Sequence, residues 1–325
     1  MKTIGVLTSG GDAPGMNAAV RAVVRTACEN NIKVYAINRG YQGLMEGDLK
    51  PMEIRSVCDI IHRGGTFLRS ARSKEFATEE GMNRAIEICN AYGIEGIVVI
   101  GGDGSFRGAR DLSERGIPCV GVPGTIDNDI ACCDYTIGYD TCMNTIMEMV
   151  DRIRDTSASH DRCSVIEVMG RRAGYLALNA GIAVGATAIL IPEVEFDLKR
   201  DVFDRIRRTQ KTGKTHFLVI VAEGIPADGI ISVDELAKAI EAETGVESRS
   251  MVLAHVQRGG SPTVRDRVNA SRMGYHAVKL LMNVVGNWVF DMQKDQVVDI
   301  DIFEALNMKK HIDMELYEMA KVISI

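Results

Sequence analysis

The sequence predicts a two-lobed α/β protein with mainly parallel sheets, and three observations carry that prediction. Short apolar runs alternate with stretches of helical period along the chain, the pattern of strand–helix–strand units. Glycine-rich segments follow several of those runs directly, as they do where a parallel strand turns into a helix. The chain has 325 residues, past the ~250–300 at which a single core stops growing, so two lobes are expected.

The elements follow in order. Lys2–Leu7 (KTIGVL) reads as a buried first strand, followed by the loop Thr8–Gly15 (TSGGDAPG). Asn17–Ala27 then places Ala19, Val20, Val23, Val24 and Ala27 at helical spacing. Lys33–Ile37 is a second strand. Gly96–Ile100 (GIVVI) is a third and runs into Gly101–Ser105 (GGDGS). Pro118–Val122 is a fourth and runs into Pro123–Asp129 (PGTIDND). Ser164–Met169, Thr187–Ile191 and His216–Ala222 supply later strands, separated by helical segments such as Asn144–Arg154 and Val202–Thr209. Three loops thus leave the carboxyl ends of strands, where open parallel sheets bind ligands, and they are expected to build one site.

Composition narrows the function. Hydrophobic residues make up 46% and charged residues 25%, close to a globular average, which argues against a disordered chain or a fibre. A net charge of −6 argues against a broad nucleic-acid surface while leaving room for local anion sites. The longest uncharged stretch, Tyr175–Pro192, is about as long as a membrane span, but Asn179, Gly181, Gly185 and Pro192 interrupt it. It reads as a buried helix running into a strand. Eight cysteines form no C-x-x-C and no zinc spacing. With no export signal read at Met1, they are expected to be reduced core thiols of a cytoplasmic protein.

The chemistry concentrates in the loops. Glycines between a strand and a helix let backbone N–H groups face a ligand, and the helix N-terminus favours phosphate there. In Gly101–Ser105 an acidic residue, Asp103, sits inside such a loop. It would repel phosphate unless Mg²⁺ stood between them; otherwise it is an ordinary helix cap. Thr8–Asp12 repeats the logic after the first strand, and two such loops favour a nucleotide. There is no G-x-x-x-x-G-K-[ST] and no clean G-x-G-x-x-G after the first strand. Pro123–Asp129 carries two carboxylates two residues apart, a pair suited to a general base beside a metal-bound phosphate. Alone it would read as an Asx-rich turn; at a strand end facing two phosphate loops the catalytic role is preferred.

Arg162, Arg171–Arg172, Arg249, His255 and Arg258 cluster in the later half. They suit a phosphorylated substrate, since arginine's planar fork matches phosphate oxygens, although any one of them alone reads as a surface ion pair. Glu223 follows a strand and could accept hydroxyl hydrogen bonds or cap a helix. Arg21 and Arg25 share one helix face; with Arg154, Lys211 and Lys214 they form a second anion site or simply a solvated basic face. His62–Thr66 (HRGGT) and Gln257–Ser261 (QRGGS) echo each other, too briefly to claim duplication.

These motifs together resemble the bacterial ATP-dependent 6-phosphofructokinases. GGDAPGMNA (Gly10–Ala18), RGGTFLRSAR (Arg63–Arg72), GGDGS, PGTIDND, MGRRAG (Met169–Gly174) and HVQRGGSP (His255–Pro262) stand in that family's order and spacing. The resemblance implies two Rossmann-like lobes with the active site in the cleft between them. It places residues 1–138 with 256–303 in a larger ATP lobe, and 139–255 with 304–325 in a smaller sugar-phosphate lobe. It implies direct in-line transfer of the γ-phosphoryl group of ATP to fructose 6-phosphate, the committed step of glycolysis, with ADP released.

The implied roles are these. Asp127 is the base, Asp103 holds Mg²⁺ with Asp129 helping, and Thr125 and Arg171 steady the transferred group. Arg72 bridges toward the ATP phosphates, with Gly11, Tyr41, Ser73, Gly102, Gly104, Ser105 and Gly108 around the nucleotide. Arg162, Arg249, His255 and Arg258 bind the sugar phosphate, with Met169, Gly170 and Glu223 on the sugar. In the family Arg162 and Arg249 serve a neighbouring subunit, which implies a homotetramer. Gly104 and Gly124 stand where pyrophosphate-using relatives usually carry Asp and Lys, which looks like an ATP enzyme. Arg21, Arg25, Arg154, Gly185, Lys214 and His216 match an effector site for ADP or phosphoenolpyruvate. Ile54, Thr187 and Thr212 depart from that pattern, so a weakened effector response is expected. The competing readings are a pyrophosphate-dependent or other sugar-phosphate kinase, and a non-catalytic nucleotide-sensing subunit. A dehydrogenase is more distant, since the dinucleotide fingerprint is missing.

Overall fold

The computed structural model describes residues 1–227, 232–283, 286–293 and 296–324. In chain order the elements are β1 (Thr3–Thr8), α1 (Met16–Glu29), β2 (Lys33–Ile37), α2 (Gly40–Glu46), β3 (Leu49–Met52), α3 (Glu79–Tyr92), β4 (Ile97–Gly101), α4 (Asp103–Glu114) and β5 (Cys119–Pro123). Next come α5 (Tyr139–Ser159), β6 (Cys163–Val168), α6 (Tyr175–Ala183), β7 (Ala188–Leu190), α7 (Asp204–Gln210), β8 (Phe217–Ala222), α8 (Gly224–Ala227), α9 (Val233–Thr244) and β9 (Ser248–Val252). The chain ends with α10 (Val264–Met282), β10 (Trp288–Gln293), β11 (Gln296–Asp301), α11 (Ile302–Asn307) and α12 (Met314–Ile323).

The chain divides into two compact units, Met1–Thr141 with Arg258–Lys310, and Cys142–Gln257 with His311–Ile325. The first unit holds a seven-stranded sheet in the order β11-β10-β5-β4-β1-β2-β3. Its central strands run parallel, and only the outermost, β3 and β11, are antiparallel to their neighbours. β4 and β5 are buried along their whole length, as strands covered on both faces must be. α1 buries Ala19, Val20, Val23 and Val24 and packs along α10. One core cluster joins Leu7, Ile37, Leu44, Ile97, Val99, Phe106 and Val289.

The second unit holds a parallel four-stranded sheet, β7-β8-β6-β9. Its core gathers Val165, Leu190, Phe203, Ile206, Phe217, Val219 and Ile240. The uncharged stretch from Tyr175 folds as α6 running into β7, as expected. Among the described residues no helix is long and apolar enough to cross a membrane.

Four strands went unread in the sequence. β3 is a four-residue edge strand containing Pro51, and proline is confined to such edges because it cannot donate to the ladder. β9 (SRSMV) opens on three polar residues and is largely accessible. β10 and β11 form the antiparallel pair that extends the first sheet beyond β5. The segment Val202–Thr209 is helical as expected, entered through a wide helical turn at Lys199–Phe203 before α7.

Candidate active site

In the first unit β1 neighbours β4 on one side and β2 on the other, so the direction of winding reverses between β1 and β4. Ligands bind outside the carboxyl ends of strands at such a reversal. The three loops that follow β1, β4 and β5 therefore lie side by side. Backbone bonds tie them together: Ser9 N–H donates to the Ile100 carbonyl at 2.9 Å, and Gly124 N–H to the Gly101 carbonyl at 2.9 Å.

α4 begins at Asp103 with no residue between it and the Gly102 cap. The N–H groups of its first turn thus sit at the loop cluster, with the positive end of the helix dipole, and that of Ser105 donates to the Gly102 carbonyl at 2.9 Å. Asp103 is half-buried there and pairs with Arg107 one turn on at 3.0 Å. That exposed pair contributes about 0–1 kcal/mol, so the carboxylate is free to exchange partners. A Cβ on Gly102 would lie 4.0 Å from Thr125 Cβ, and one on Gly104 would meet nothing within 4 Å. Ser105 is buried. Tyr41 donates its hydroxyl to the Ser105 carbonyl, stacks on Phe76 at 4.0 Å and packs against Gly108, so it supports the loop from beneath.

In the loop after β5, Asp127 is buried and Asp129 half-buried. Asp127 N–H donates to Thr125 Oγ1 at 3.2 Å. Asn128 adopts a left-handed φ of 50°, a conformation Asn tolerates better than most residues. Its side chain is engaged by the Asp134 carbonyl and the Thr136 hydroxyl, and Thr136 Oγ1 also donates to the Thr125 carbonyl at 2.7 Å. Lys310 Nζ donates to the carbonyls of Asn128 at 2.7 Å and Cys133 at 2.6 Å. The pair of acidic residues thus rests on an over-determined turn.

Arg258 lies over Gly11, with Nη1 donating to the Asp12 carbonyl at 3.1 Å. Arg72 is exposed and Ser73 half-buried, and the preceding Ser70 hydroxyl donates to the Gly10 carbonyl at 2.6 Å. Behind the loops, Asp266 of α10 is fully buried. Its carboxylate accepts from the N–H groups of Gly138 at 2.7 Å and Thr141 at 2.9 Å, and from the hydroxyls of Tyr135 and Thr141. Burial pushes its pKa up against those donors.

In the second unit Met169, Gly170 and Arg171 follow β6 and Glu223 follows β8, the parallel neighbour. Gly170 has φ 141°, and a Cβ there would stand 2.4 Å from the Ala173 carbonyl oxygen, so only glycine fits. Arg171 has φ 61°, and its N–H donates to the Glu223 carboxylate. The fully buried Gln257 accepts Met169 N–H at 3.0 Å through its side-chain oxygen, which fixes the loop from the other side. Burial, and then Glu223, push the nearby Glu167 carboxyl above its ordinary range. His255 is exposed.

Arg162 and Arg249 lie elsewhere in this unit. Arg162 immediately precedes β6 and Arg249 is the second residue of β9, both at the amino ends of strands. They share the Glu247 carboxylate, at 2.9 and 2.5 Å. The hydrogen bond from Arg162 is the main cause that holds Glu247 below its ordinary pKa. Six residues of β6 separate Arg162 from Met169, roughly 20 Å of extended chain.

Of the basic residues matched to an effector site, Arg21 and Arg25 lie on α1 of the first unit. Arg154, Lys214 and His216 gather in the second, and Arg154 donates to the Val184 carbonyl beside Gly185. Burial first, then Arg154, lowers the Lys214 pKa; burial, Lys214 and Arg154 lower that of His216. Thr187 is buried and Ile54 is 51% exposed, while Thr212 is exposed.

The sequence profile of the family described as Phosphofructokinase matches residues 3–281. The chain belongs to the phosphofructokinase family. Among curated family members, the ATP-dependent 6-phosphofructokinase of Clostridioides difficile (strain 630) is 55% identical over 325 residues, covering all of both chains. The solved phosphofructokinase of Saccharomyces cerevisiae superposes with a TM-score of 0.89 at 32% identity, over 98% of this chain and 50% of that one. The Pichia pastoris phosphofructokinase in the T-state gives 0.88 at 37% identity, over 99% of this chain and 36% of that one. The parallel α/β architecture predicted from the sequence is the phosphofructokinase fold.

Proposed function

We propose that this chain transfers the γ-phosphoryl group of ATP directly to the 1-hydroxyl of fructose 6-phosphate, giving fructose 1,6-bisphosphate and ADP. The observation that carries the reading is the convergence of three strand-end loops at the β1/β4 reversal, with Asp127 buried on one and the N-terminus of α4 on another.

Phosphoryl transfer asks little covalent chemistry of a protein and much positioning and charge neutralisation. The N–H groups at Gly102–Ser105 and the loop at Gly10–Gly11 bind the ATP phosphates, with Arg72 and Ser73 beside them. Asp127 takes the proton of the attacking hydroxyl, and Thr125 and Arg171 steady the group in transit. His255, Arg258, Met169, Gly170 and Glu223 hold the sugar phosphate.

Magnesium fits the residues present. Among the described residues no group of three or more His, Cys, Asp or Glu could cage an ion, and Mg²⁺ in kinases takes one or two carboxylates plus substrate phosphates. Asp103, with Asp129, would hold it, and when bound it neutralises charge on the phosphates. ATP is preferred over pyrophosphate because the space beside Gly104 is open. A non-catalytic sensor would have no use for a buried Asp127.

Arg162 and Arg249 sit at the strand ends opposite Arg171 and Glu223. They therefore serve the sugar-phosphate site of another copy, which makes the active form an oligomer, in the family's manner a homotetramer. The absence of a membrane-spanning helix among the described residues suits a cytoplasmic enzyme.

The test runs product formation from fructose 6-phosphate and Mg²⁺ with ATP and pyrophosphate in parallel, beside Asp127→Ser. ATP turnover that falls in the variant by about 10²–10⁴-fold is expected. Turnover with pyrophosphate would overturn the donor assignment, and tight ATP binding without turnover would overturn the catalytic one.

A further inference from the structure

We propose that Cys132 and Cys133 form a two-thiol binding site for trivalent arsenic compounds, and that filling it slows catalysis through Lys310. The two Sγ atoms stand 3.6 Å apart. The residues are 8% and 1% exposed, so Cys132 keeps a small face to solvent. Two sulfurs bonded at about 2.3 Å, the length known for zinc thiolates, to one pyramidal trivalent centre with an angle of roughly 100° stand about 3.5 Å apart. A disulfide would need about 2.05 Å. The observed spacing therefore suits one bridging atom. No third His, Cys, Asp or Glu completes a metal-binding group among the described residues. This selects an acceptor that needs only two protein sulfurs, a monosubstituted trivalent arsenical.

A buried acceptor stands ready beside the thiols. Asp291 is fully buried, and its Oδ1 accepts N–H groups from Asp134 at 2.8 Å and Met292 at 2.7 Å. Its Oδ2 has no hydrogen-bond partner, and its charge bears on both cysteines. The hydrogen bond from Cys133 lowers the Cys132 pKa, while burial raises that of Cys133. Cys132 is thus the first nucleophile. With methylarsenous acid, CH₃As(OH)₂, Cys132 Sγ bonds to arsenic and displaces one hydroxyl, which leaves as water with the Cys132 proton. Cys133 Sγ then displaces the second hydroxyl, which leaves as water with the Cys133 proton. Two As–O bonds become two As–S bonds, and no electrons change hands.

The site reaches the chemistry through the backbone. Cys133 Sγ donates to the Phe290 carbonyl at 3.3 Å, a bond that arsenic removes. The Cys133 carbonyl shares Lys310 Nζ with the carbonyl of Asn128, which lies between Asp127 and Asp129. Displacing Cys133 therefore disturbs the turn that carries the two carboxylates. This half of the inference rests on the function proposed above; the binding half does not.

The test uses the full-length protein, reduced and desalted, titrated with methylarsenous acid. Native mass spectrometry and counting of alkylatable thiols report binding, and the fructose 6-phosphate assay reports its effect. The expected result is one adduct per chain that shields two thiols and is lost in Cys132→Ser and in Cys133→Ser. The rate should fall roughly tenfold or more and return on adding a dithiol chelator. Cys132→Ala keeps the test decisive should Cys133→Ser fail to fold. No adduct at stoichiometric reagent, or one that survives the single substitutions, overturns the site. An adduct with an unchanged rate overturns the coupling through Lys310.

Discussion

Gly64 lies so close to Gly260 that a Cβ on Gly64 would stand 2.4 Å from the Gly260 carbonyl oxygen. The glycine pairs of the two short segments that echo each other in sequence are thus packed backbone to backbone within the first unit. The Ser261 hydroxyl adds a bond to the His62 carbonyl at 2.7 Å, and Asn17 of α1 holds the Arg63 carbonyl at 3.0 Å and Phe67 N–H at 2.6 Å. Arg258 belongs to one of the segments so joined, and Arg72 follows the other by six residues.

Gly64→Ala should therefore destabilise the protein and loosen both segments at once. An added methyl against a rigid carbonyl is overpacking, and costs about 1–3 kcal/mol. Urea unfolding should show a lower midpoint at an unchanged slope, with a raised KM for both substrates. An unshifted midpoint would mean that the two loops part easily.

Gly104→Asp places a carboxylate where a side chain meets no protein atom. The fold should hold, with the thermal midpoint unchanged. Repulsion of the ATP phosphates should lower kcat/KM for ATP by about tenfold or more, each tenfold being about 1.4 kcal/mol. Steady-state kinetics at saturating fructose 6-phosphate reads the effect, and an unchanged ratio would remove Gly104 from the nucleotide site.

Arg162→Ala and Asp127→Ser should each be nearly inactive alone, yet regain activity when mixed subunits reassemble. Arg162 lies before β6 and Arg171 after it, and on the function proposed above Arg162 serves the site of a second copy. In a hybrid, the Asp127 of one variant meets the Arg162 of the other. Rate recovery after dissociation and reassociation is the measurement, and none at any mixing ratio would confine the site to one chain.

His216 is held below its ordinary pKa of 6.5 by burial, Lys214 and Arg154. The unfolded chain then binds the proton more readily, so this group costs stability as pH falls below 6.5. His216→Gln should lose less stability than the parent between pH 7 and pH 5, followed by urea midpoints. The same patch carries the expected effector response. With Thr187 buried and Ile54 in place of a cation, ADP and phosphoenolpyruvate should shift the rate only weakly. Full sensitivity abolished by Arg154→Ala would reverse that expectation.

How much of this was legible follows from which forces leave a trace in sequence. Buried parallel strands are continuous apolar runs, so β1, β4, β5, β6 and β8 could be read within about a residue, and the loops after β1, β4 and β5 came with them. Edge strands need no such run, and β3, β9 and β11 therefore went unread. Asp266 stands between Arg265 and Arg267 and looks like a solvated helix carboxylate, yet it is fully buried among donors from Tyr135 to Thr141. Lys310 reaches Asn128 across 182 positions, and Gln257 reaches Met169 across 88. Such contacts depend on tertiary closure, and no local period announces them.

The first unit is interrupted by the second in the chain, and this has a consequence for its biosynthesis. β5 can gain its outer neighbour β10 only after residues 142–257 have been made. At about 5–20 residues per second this takes on the order of ten seconds. Throughout that interval the nascent chain presents the open flank of an apolar strand, while Tyr135, Gly138 and Thr141 wait for the carboxylate of Asp266. The inserted unit has its own sheet and core and can close first. The first unit is therefore completed only after the sheet of the second has been made, though its loops after β1, β4 and β5 are among the first parts to leave the ribosome.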